Sequence, residues 1–136
     1  MILGTGSDIV DSRRISALVE RHGRRFLDRV FCPAEQALAM ARGQGGGPCA
    51  LALRFAAKEA AAKALGTGFR DGVSWRDICV EKGDLGAPRL RLSGGAARRL
   101  AAMLEPGTRA RLHLSLSDEP PLAMAFVIIE AVRAPA

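Results

Sequence analysis

A run of alanines in residues 54–68 constrains the fold of this chain more than any other segment. The segment reads RFAAKEAAAKALGTG, and its alanines followed by glycine predict a helix with a defined end. At about 100° per residue, Glu59 and Lys63 fall on one side of this helix, roughly opposite Arg54 and Lys58. The helix is therefore expected to carry one acid among three bases.

Glu59 allows two interpretations. A Glu and a Lys one turn apart are common partners on a helix surface, so Glu59 and Lys63 could be a solvent-exposed pair. An acid among alanines is costly to bury without a partner, however, and a second acid stands in the apolar segment GTGSDIV as Asp8. Two carboxylates with water and phosphate oxygens suit Mg²⁺. Asp8 and Glu59 are therefore candidate metal ligands if the fold brings them together.

Composition limits the possible classes of protein. With 136 residues, of which 49% are hydrophobic, the chain predicts one folded domain over residues 1–136. The net charge of +6 indicates an acidic partner or a phosphorylated ligand. Three cysteines without a Cys-x-x-Cys pair favour inert buried thiols over a disulfide or a zinc site. No run approaches ~20 uncharged apolar residues, and the amino terminus lacks a basic start, so we expect a cytoplasmic protein.

Hydrophobic patterning predicts an α+β domain in which an antiparallel sheet accompanies the long alanine-rich helix. Pro33 suits the first turn of a helix, and Glu35 would then lie where the helix dipole favours an acid. The segment GQGGGP, residues 43–48, predicts a flexible loop. The expected strands are 2–10, 77–82, 88–93, 109–117 and 121–132, and the expected helices are 13–30 with an interruption at Gly23, 33–41, 49–65 and 95–104.

Two predicted strands carry a basic face. In residues 109–117 three leucines alternate with polar residues, and residues 88–93 repeat the pattern with Arg89 and Arg91 on the polar side. A solvated sheet face is the favoured explanation for most of these residues, and a polyphosphate site or a subunit contact is the functional alternative. His113 belongs to this face, and a lone histidine is more often structural than catalytic.

The first helix has a basic side. Arg14, Arg21 and Arg25 are spaced by seven and four residues, so they share one face with Leu18 beside them, unless Gly23 breaks the helix. This face could simply be solvated. Alternatively, it could dock an acidic helical partner, with the leucine as an apolar anchor.

The arginine faces and the net charge also fit a nucleic-acid-binding module. Against this alternative, the chain has only five Phe, one Trp and no Tyr for base stacking, and it has no recognisable recognition motif. Sequence-independent binding that disappears at moderate salt would identify such a module.

Four motifs, in this order and spacing, resemble the holo-acyl-carrier-protein synthase family of small 4′-phosphopantetheinyl transferases. The similarity extends from near residue 2 to near residue 130. The motifs are GTGSDIVDSRRI from Gly4, FCPAE from Phe31, RFAAKEAAAKALGTG from Arg54 and LGAPRL from Leu85.

The resemblance implies an activity. Such an enzyme moves the 4′-phosphopantetheine arm of coenzyme A to a serine of apo acyl carrier protein and releases adenosine 3′,5′-bisphosphate. By resemblance, Asp8 and Glu59 bind Mg²⁺, and they form the catalytic set with Lys63. Glu59 would also help to remove the serine proton. These three residues are intact, which argues against a catalytically silent scaffold of the same fold.

The resemblance also implies partners and an assembly. Members form homotrimers with active sites at subunit interfaces, and they often carry histidine where this chain reads Ser117-Asp118. The implied carrier-binding residues are Arg14, Arg21 and Arg25. The implied coenzyme A contacts are Arg54, Lys63, Gly66, Gly68, Pro88, Arg89 and His113.

Overall fold

The computed structural model describes residues 1–135, which form helices and antiparallel strands as the sequence predicts. No helix within these residues has both the length and the apolar character that a membrane crossing needs. Short 3₁₀ helices occupy Trp75–Asp77 and Asp84–Gly86. The main elements are β1 (Ile2–Asp11), α1 (Ser12–His22), α2 (Arg24–Val30), α3 (Pro33–Ala64), β2 (Ile78–Lys82), β3 (Pro88–Leu92), α4 (Gly94–Met103), β4 (Thr108–Glu119) and β5 (Leu122–Arg133).

The larger sheet has the strand order β1-β5-β4, and all of its pairs are antiparallel. Strands β2 and β3 form a separate antiparallel hairpin. The predicted alternation along β4 is confirmed, because its leucines pack against the core while the polar residues between them are exposed. The core lies between the inner face of this sheet and the alanines of α3, such as Ala56 and Ala60.

The long helix α3 consists of two helical segments that meet at a sharp kink, so the prediction of two helices is confirmed, whereas the prediction of a flexible loop between them is wrong. Residues 44–48 are helical, and the helix is interrupted only at Gly43, where φ is 66°. At the buried Gly47, a Cβ would lie 2.8 Å from the carbonyl oxygen of Ala39. Close packing across the kink therefore accounts for a glycine that the sequence alone assigns to flexibility.

The first two helices are separated at Gly23, whose backbone (φ 55°, ψ −131°) is not helical. Asp11 caps α1, and its side chain accepts a hydrogen bond from the backbone N–H of Arg13 at 2.9 Å. Arg25 lies on α2, so the shared helical face holds for Arg14 and Arg21 but not for Arg25.

A buried ion pair links the two segments of α3, and the hydrogen bonds of the same two side chains connect them to β2. Lys58 Nζ lies 2.7 Å from Glu35 Oε1, and both side chains are fully buried. Lys58 also donates to the carbonyl oxygen of Ile78, and Glu35 Oε2 accepts from the backbone N–H of Val80 at 2.9 Å. Burial lowers the pKa of Lys58, and the neighbouring Glu35 carboxylate opposes that shift.

The expectation of three inert thiols is wrong for two of the cysteines. Cys32 and Cys79 are joined by a disulfide, whereas Cys49 is free. The two half-cystines are 47 residues apart, so only the docking of β2 against the start of α3 brings them together. No spacing rule in the sequence could indicate this pair.

Candidate active site

Strand β1 packs directly on the backbone of α3. Side chains in a strand alternate, so Gly4, Gly6 and Asp8 point to the same face. A Cβ at Gly4 would lie 2.0 Å from the carbonyl oxygen of Ala64, and one at Gly6 would lie 1.9 Å from that of Ala60. Only glycine permits this approach, and Asp8 is the next residue on the same face.

Gly6→Ala is expected to lower the free energy of unfolding by about 1–3 kcal/mol, because the added methyl would push β1 away from α3. Urea unfolding measures the effect. Ser7→Ala is the matched control, since Ser7 is exposed on the opposite face of the same strand. Equal unfolding free energies for the two variants would show that the close approach is not required.

Asp8, Glu59 and Lys63 come together where β1 crosses α3. Lys63 Nζ lies 3.3 Å from Asp8 Oδ1 and donates to the carbonyl oxygen of Ser7 at 2.9 Å. Burial, and then the charge of Asp8, raise the pKa of Glu59, while Arg14 and Lys63 oppose the shift. The two carboxylates therefore repel each other, and Arg14 and Lys63 place positive charge beside them.

This pair fits a hard divalent cation. Mg²⁺ prefers carboxylate oxygens and keeps several waters, and two repelling carboxylates gain most from a positive charge between them. A second cluster of possible metal ligands, formed by Cys32, Glu35 and Cys79, is not suited to a metal ion. Its two sulfurs are bonded to each other, and both oxygens of Glu35 already accept hydrogen bonds.

A glycine turn ends α3 beside the acid pair. Gly66 and Gly68 adopt φ values of 82° and 60°, and the N–H of Gly68 donates to the carbonyl oxygen of Ala62 at 3.1 Å. Arg99 of α4 donates through Nε to the carbonyl oxygen of Leu65 at 2.8 Å. The sequence does not single out Arg99, because nothing in its helix relates it to the end of α3.

The exposed residue Arg14 connects the basic side of α1 to the acid pair. Its guanidinium carbon lies 5.3 Å from the centre of the Phe55 ring, and its charge acts on Glu59. Arg21 is exposed on the same helix, and Arg25 is exposed on α2. A basic surface therefore borders the carboxylates.

Arg54 belongs to a different place, a cavity of about 300 Å³ between α3, the β2–β3 hairpin and β4. Pro88 lines this cavity together with Arg42 and Lys82. Arg54 Nε is the one buried side-chain nitrogen or oxygen without a hydrogen-bond partner in residues 1–135. Burial, and then the charge of Arg42, lower the pKa of Arg54. An anionic ligand would satisfy both cations.

The sequence does not single out Arg42, which lies beside the kink of α3 at Gly43. Of the predicted coenzyme A contacts, only Arg54 and Pro88 line the cavity; Lys63, Gly66 and Gly68 lie beside the acid pair, and Arg89 and His113 belong to neither place. Arg89 is exposed on β3, and His113 Nε2 lies 2.8 Å from Glu130 Oε2 on the outer face of the sheet. This hydrogen bond lowers the pKa of Glu130.

The acid pair and the cavity occupy opposite sides of α3. Nine residues separate Arg54 from Lys63, which corresponds to two and a half turns and a rise of about 13 Å. We call the group of Asp8, Glu59, Lys63 and the Gly66–Gly68 turn the acidic half-site, and the cavity around Arg54 the basic half-site. One chain presents both, but on different surfaces.

Comparison with known proteins identifies the class to which this fold and site belong. The family model of the 4′-phosphopantetheinyl transferase superfamily matches residues 4–119. The chain therefore belongs to that superfamily, as its motifs predict.

Individual relatives are similar over nearly their whole length. A holo-[acyl-carrier-protein] synthase from Methylobacterium sp. (strain 4-46) is 59% identical, over 98% of this chain and 97% of that protein. The crystal structure of the synthase of this name from Neisseria meningitidis has a TM-score of 0.82 and 39% identity, covering 96% of this chain and 99% of that one. A Bacillus anthracis synthase in complex with CoA (3′,5′-ADP) has a TM-score of 0.76 and 33% identity, covering 95% and 96%.

Proposed function

We propose that this chain is a cytoplasmic holo-acyl-carrier-protein synthase. It transfers the 4′-phosphopantetheine arm of coenzyme A to a serine hydroxyl of an apo acyl carrier protein, and adenosine 3′,5′-bisphosphate leaves. The observation that carries the proposal is the acidic half-site, where two repelling carboxylates and a lysine adjoin a glycine turn. The relatives that bear this enzyme's name support it.

The serine oxygen forms an ester bond to the phosphorus that carries the pantetheine arm, and the bond from that phosphorus to the bridging oxygen of the diphosphate breaks. Positioning and charge neutralisation dominate such chemistry. Asp8 and Glu59 would hold Mg²⁺, which when bound supplies positive charge to the diphosphate and its leaving group. Lys63, exposed beside Asp8, places a further positive charge on the same oxygens. Glu59 would also accept the proton of the attacking serine.

The acceptor protein docks on the basic surface of α1 and α2. Acyl carrier proteins are small and strongly acidic, so Arg14, Arg21 and Arg25 steer them by charge complementarity. Because Arg14 adjoins Glu59, a carrier on this surface can present its serine to the acidic half-site.

Arg21→Glu is expected to lower kcat/KM for the carrier about tenfold at low salt, because like charges oppose the encounter. The defect should shrink as salt rises, since screening acts over ~10 Å at 0.1 M. Arg14→Glu should act similarly but also disturb Glu59. Arg98→Glu, an exposed arginine on α4, is the control. If Arg21→Glu weakens coenzyme A use and spares the carrier, the two surfaces are assigned the wrong way round.

We further propose a homotrimer in which each active site joins the acidic half-site of one chain to the basic half-site of another. Coenzyme A carries a phosphate at each end of its nucleotide portion, and Arg54 faces away from Lys63 within one chain. The outer face of the sheet supports the contact between chains. There Ile9 is 62% exposed beside Met124 at 43% and Phe126 at 39%, an apolar patch that a neighbouring chain would cover.

Intact-mass analysis of a carrier protein tests the proposed transfer. The purified chain is incubated with coenzyme A, Mg²⁺ and an apo acyl carrier protein, and the carrier is expected to gain the mass of one phosphopantetheine. A carrier whose serine is replaced by alanine is the control. An unchanged mass after prolonged incubation with several apo carriers would contradict the proposed function.

A further inference from the structure

The disulfide between Cys32 and Cys79 lies outside the proposed chemistry. Cys32 precedes the first turn of α3, and Cys79 is the second residue of β2. Both are buried, with 5% and 3% of their surface exposed. Cys49 takes no part in the bond.

Hydrogen bonds already join the two segments that the disulfide links. Glu35 Oε1 accepts from the backbone N–H of Cys32 at 2.7 Å, and Oε2 accepts from the N–H of Val80 at 2.9 Å. Lys58 bonds both to Glu35 and to the carbonyl oxygen of Ile78, the residue before Cys79. These contacts hold the two sulfurs side by side whether or not they are bonded. The two sulfurs therefore stay neighbours when the bond is open, and because both are buried, a small thiol or disulfide reaches them through local opening of these segments.

We propose that Cys32 and Cys79 form a reversible thiol–disulfide site that adjusts the stability of this chain to the redox state of its surroundings. The bond closes a segment of 47 residues that contains the functional residues of α3 and the turn after it. Closing a segment of this length restricts the unfolded chain and so favours the folded one. A reducing cytoplasm keeps such thiols open, and an excess of oxidised small thiols closes them.

The closing reaction is thiol–disulfide exchange with a small organic disulfide. The thiolate of Cys32, which adjoins the amino terminus of α3, attacks one sulfur of the small disulfide, and one small thiolate leaves. The thiolate of Cys79 then attacks the Cys32 sulfur, the protein disulfide forms, and the second small thiolate leaves. The protein loses two electrons and two protons, and the small disulfide is reduced to two thiols.

Intact mass and thermal unfolding of the full-length protein test this site. The reduced protein is incubated with oxidised glutathione, unfolded and alkylated. We expect one alkylated cysteine after oxidation and three after treatment with dithiothreitol. Oxidation should also raise the Tm by about 10 °C, and dithiothreitol should reverse the rise.

Three variants separate this site from general oxidation. Cys49→Ser should show the same Tm shift as the wild type, and Cys32→Ser and Cys79→Ser should show none. The wild-type comparison between oxidised and reduced protein remains decisive if a serine variant fails to fold. Three alkylated cysteines after oxidation, an unchanged Tm upon closure, or a bond that dithiothreitol cannot open in the folded protein would each overturn the proposal.

Discussion

Asp8→Ala and Glu59→Ala are each expected to reduce transfer about 1000-fold or more while the protein stays folded. Each substitution removes one of two carboxylates that would hold Mg²⁺, and it leaves the charge of the diphosphate uncompensated. The initial rate of carrier modification measures the loss. Excess chelator should abolish wild-type transfer, and added Mg²⁺ should restore it.

Stability separates a functional role of Glu59 from a structural one. Folding raises the pKa of Glu59, so the charged form is disfavoured in the folded protein. Glu59→Gln should therefore raise the Tm of the metal-free protein while it abolishes transfer. Glu20→Ala, which removes an exposed acid on α1, should change neither. Full transfer by the wild type in excess chelator would contradict the metal assignment.

Lys58→Met is expected to lower the free energy of unfolding by about 3–5 kcal/mol, because it leaves the buried charge of Glu35 without its partner. Urea unfolding measures this loss. The double variant Glu35→Gln with Lys58→Met should lose less free energy of unfolding than the sum of the losses of the two single variants, since neither charge remains buried. A single variant within about 1 kcal/mol of the wild type would show that the ion pair does not hold α3 to β2.

Local patterns predict most of the elements of this fold. The alternation of leucine with polar residues identifies β4, and Pro33 identifies the start of α3. Both signals depend on side chains within a few residues of one another, which the sequence displays directly. The acid in an apolar strand, Asp8, is predictable for the same reason, because its charge contradicts its surroundings.

Contacts between distant segments are not predictable in this way. Gly4 and Gly6 fall within a predicted strand, but the sequence does not show that they let this strand touch the backbone of α3. The glycines after Gly43 look flexible, yet they are helical, and Gly47 packs closely on Ala39 across the kink. In each case the reason for the residue is a contact that only the folded chain makes, and a single sequence does not show such contacts. The disulfide escapes prediction for the same reason.

Among the predicted coenzyme A contacts, some features follow from local sequence and others depend on contacts between distant segments. Arg54 comes from the same helix as Glu59, and helical geometry alone indicates that the two face different ways. Only the folded structure shows that the buried Nε of Arg54 lacks a hydrogen-bond partner and that the charge of Arg42 acts on Arg54. The partner of His113, Glu130, lies on the adjacent strand β5, and only strand pairing brings the two side chains together.

Mixing two inactive variants tests most directly whether this chain is a transferase whose sites are shared between chains. Asp8→Ala disables the acidic half-site, and Arg54→Ala disables the basic half-site. The two proteins are mixed in equal amounts, exchanged by mild denaturation and refolding, and assayed by carrier mass. In randomly mixed trimers about one site in four combines two intact half-sites, so about a quarter of wild-type activity should return. A tagged subunit confirms that the chains have exchanged. If transfer activity does not recover after confirmed exchange, the site is not shared between chains.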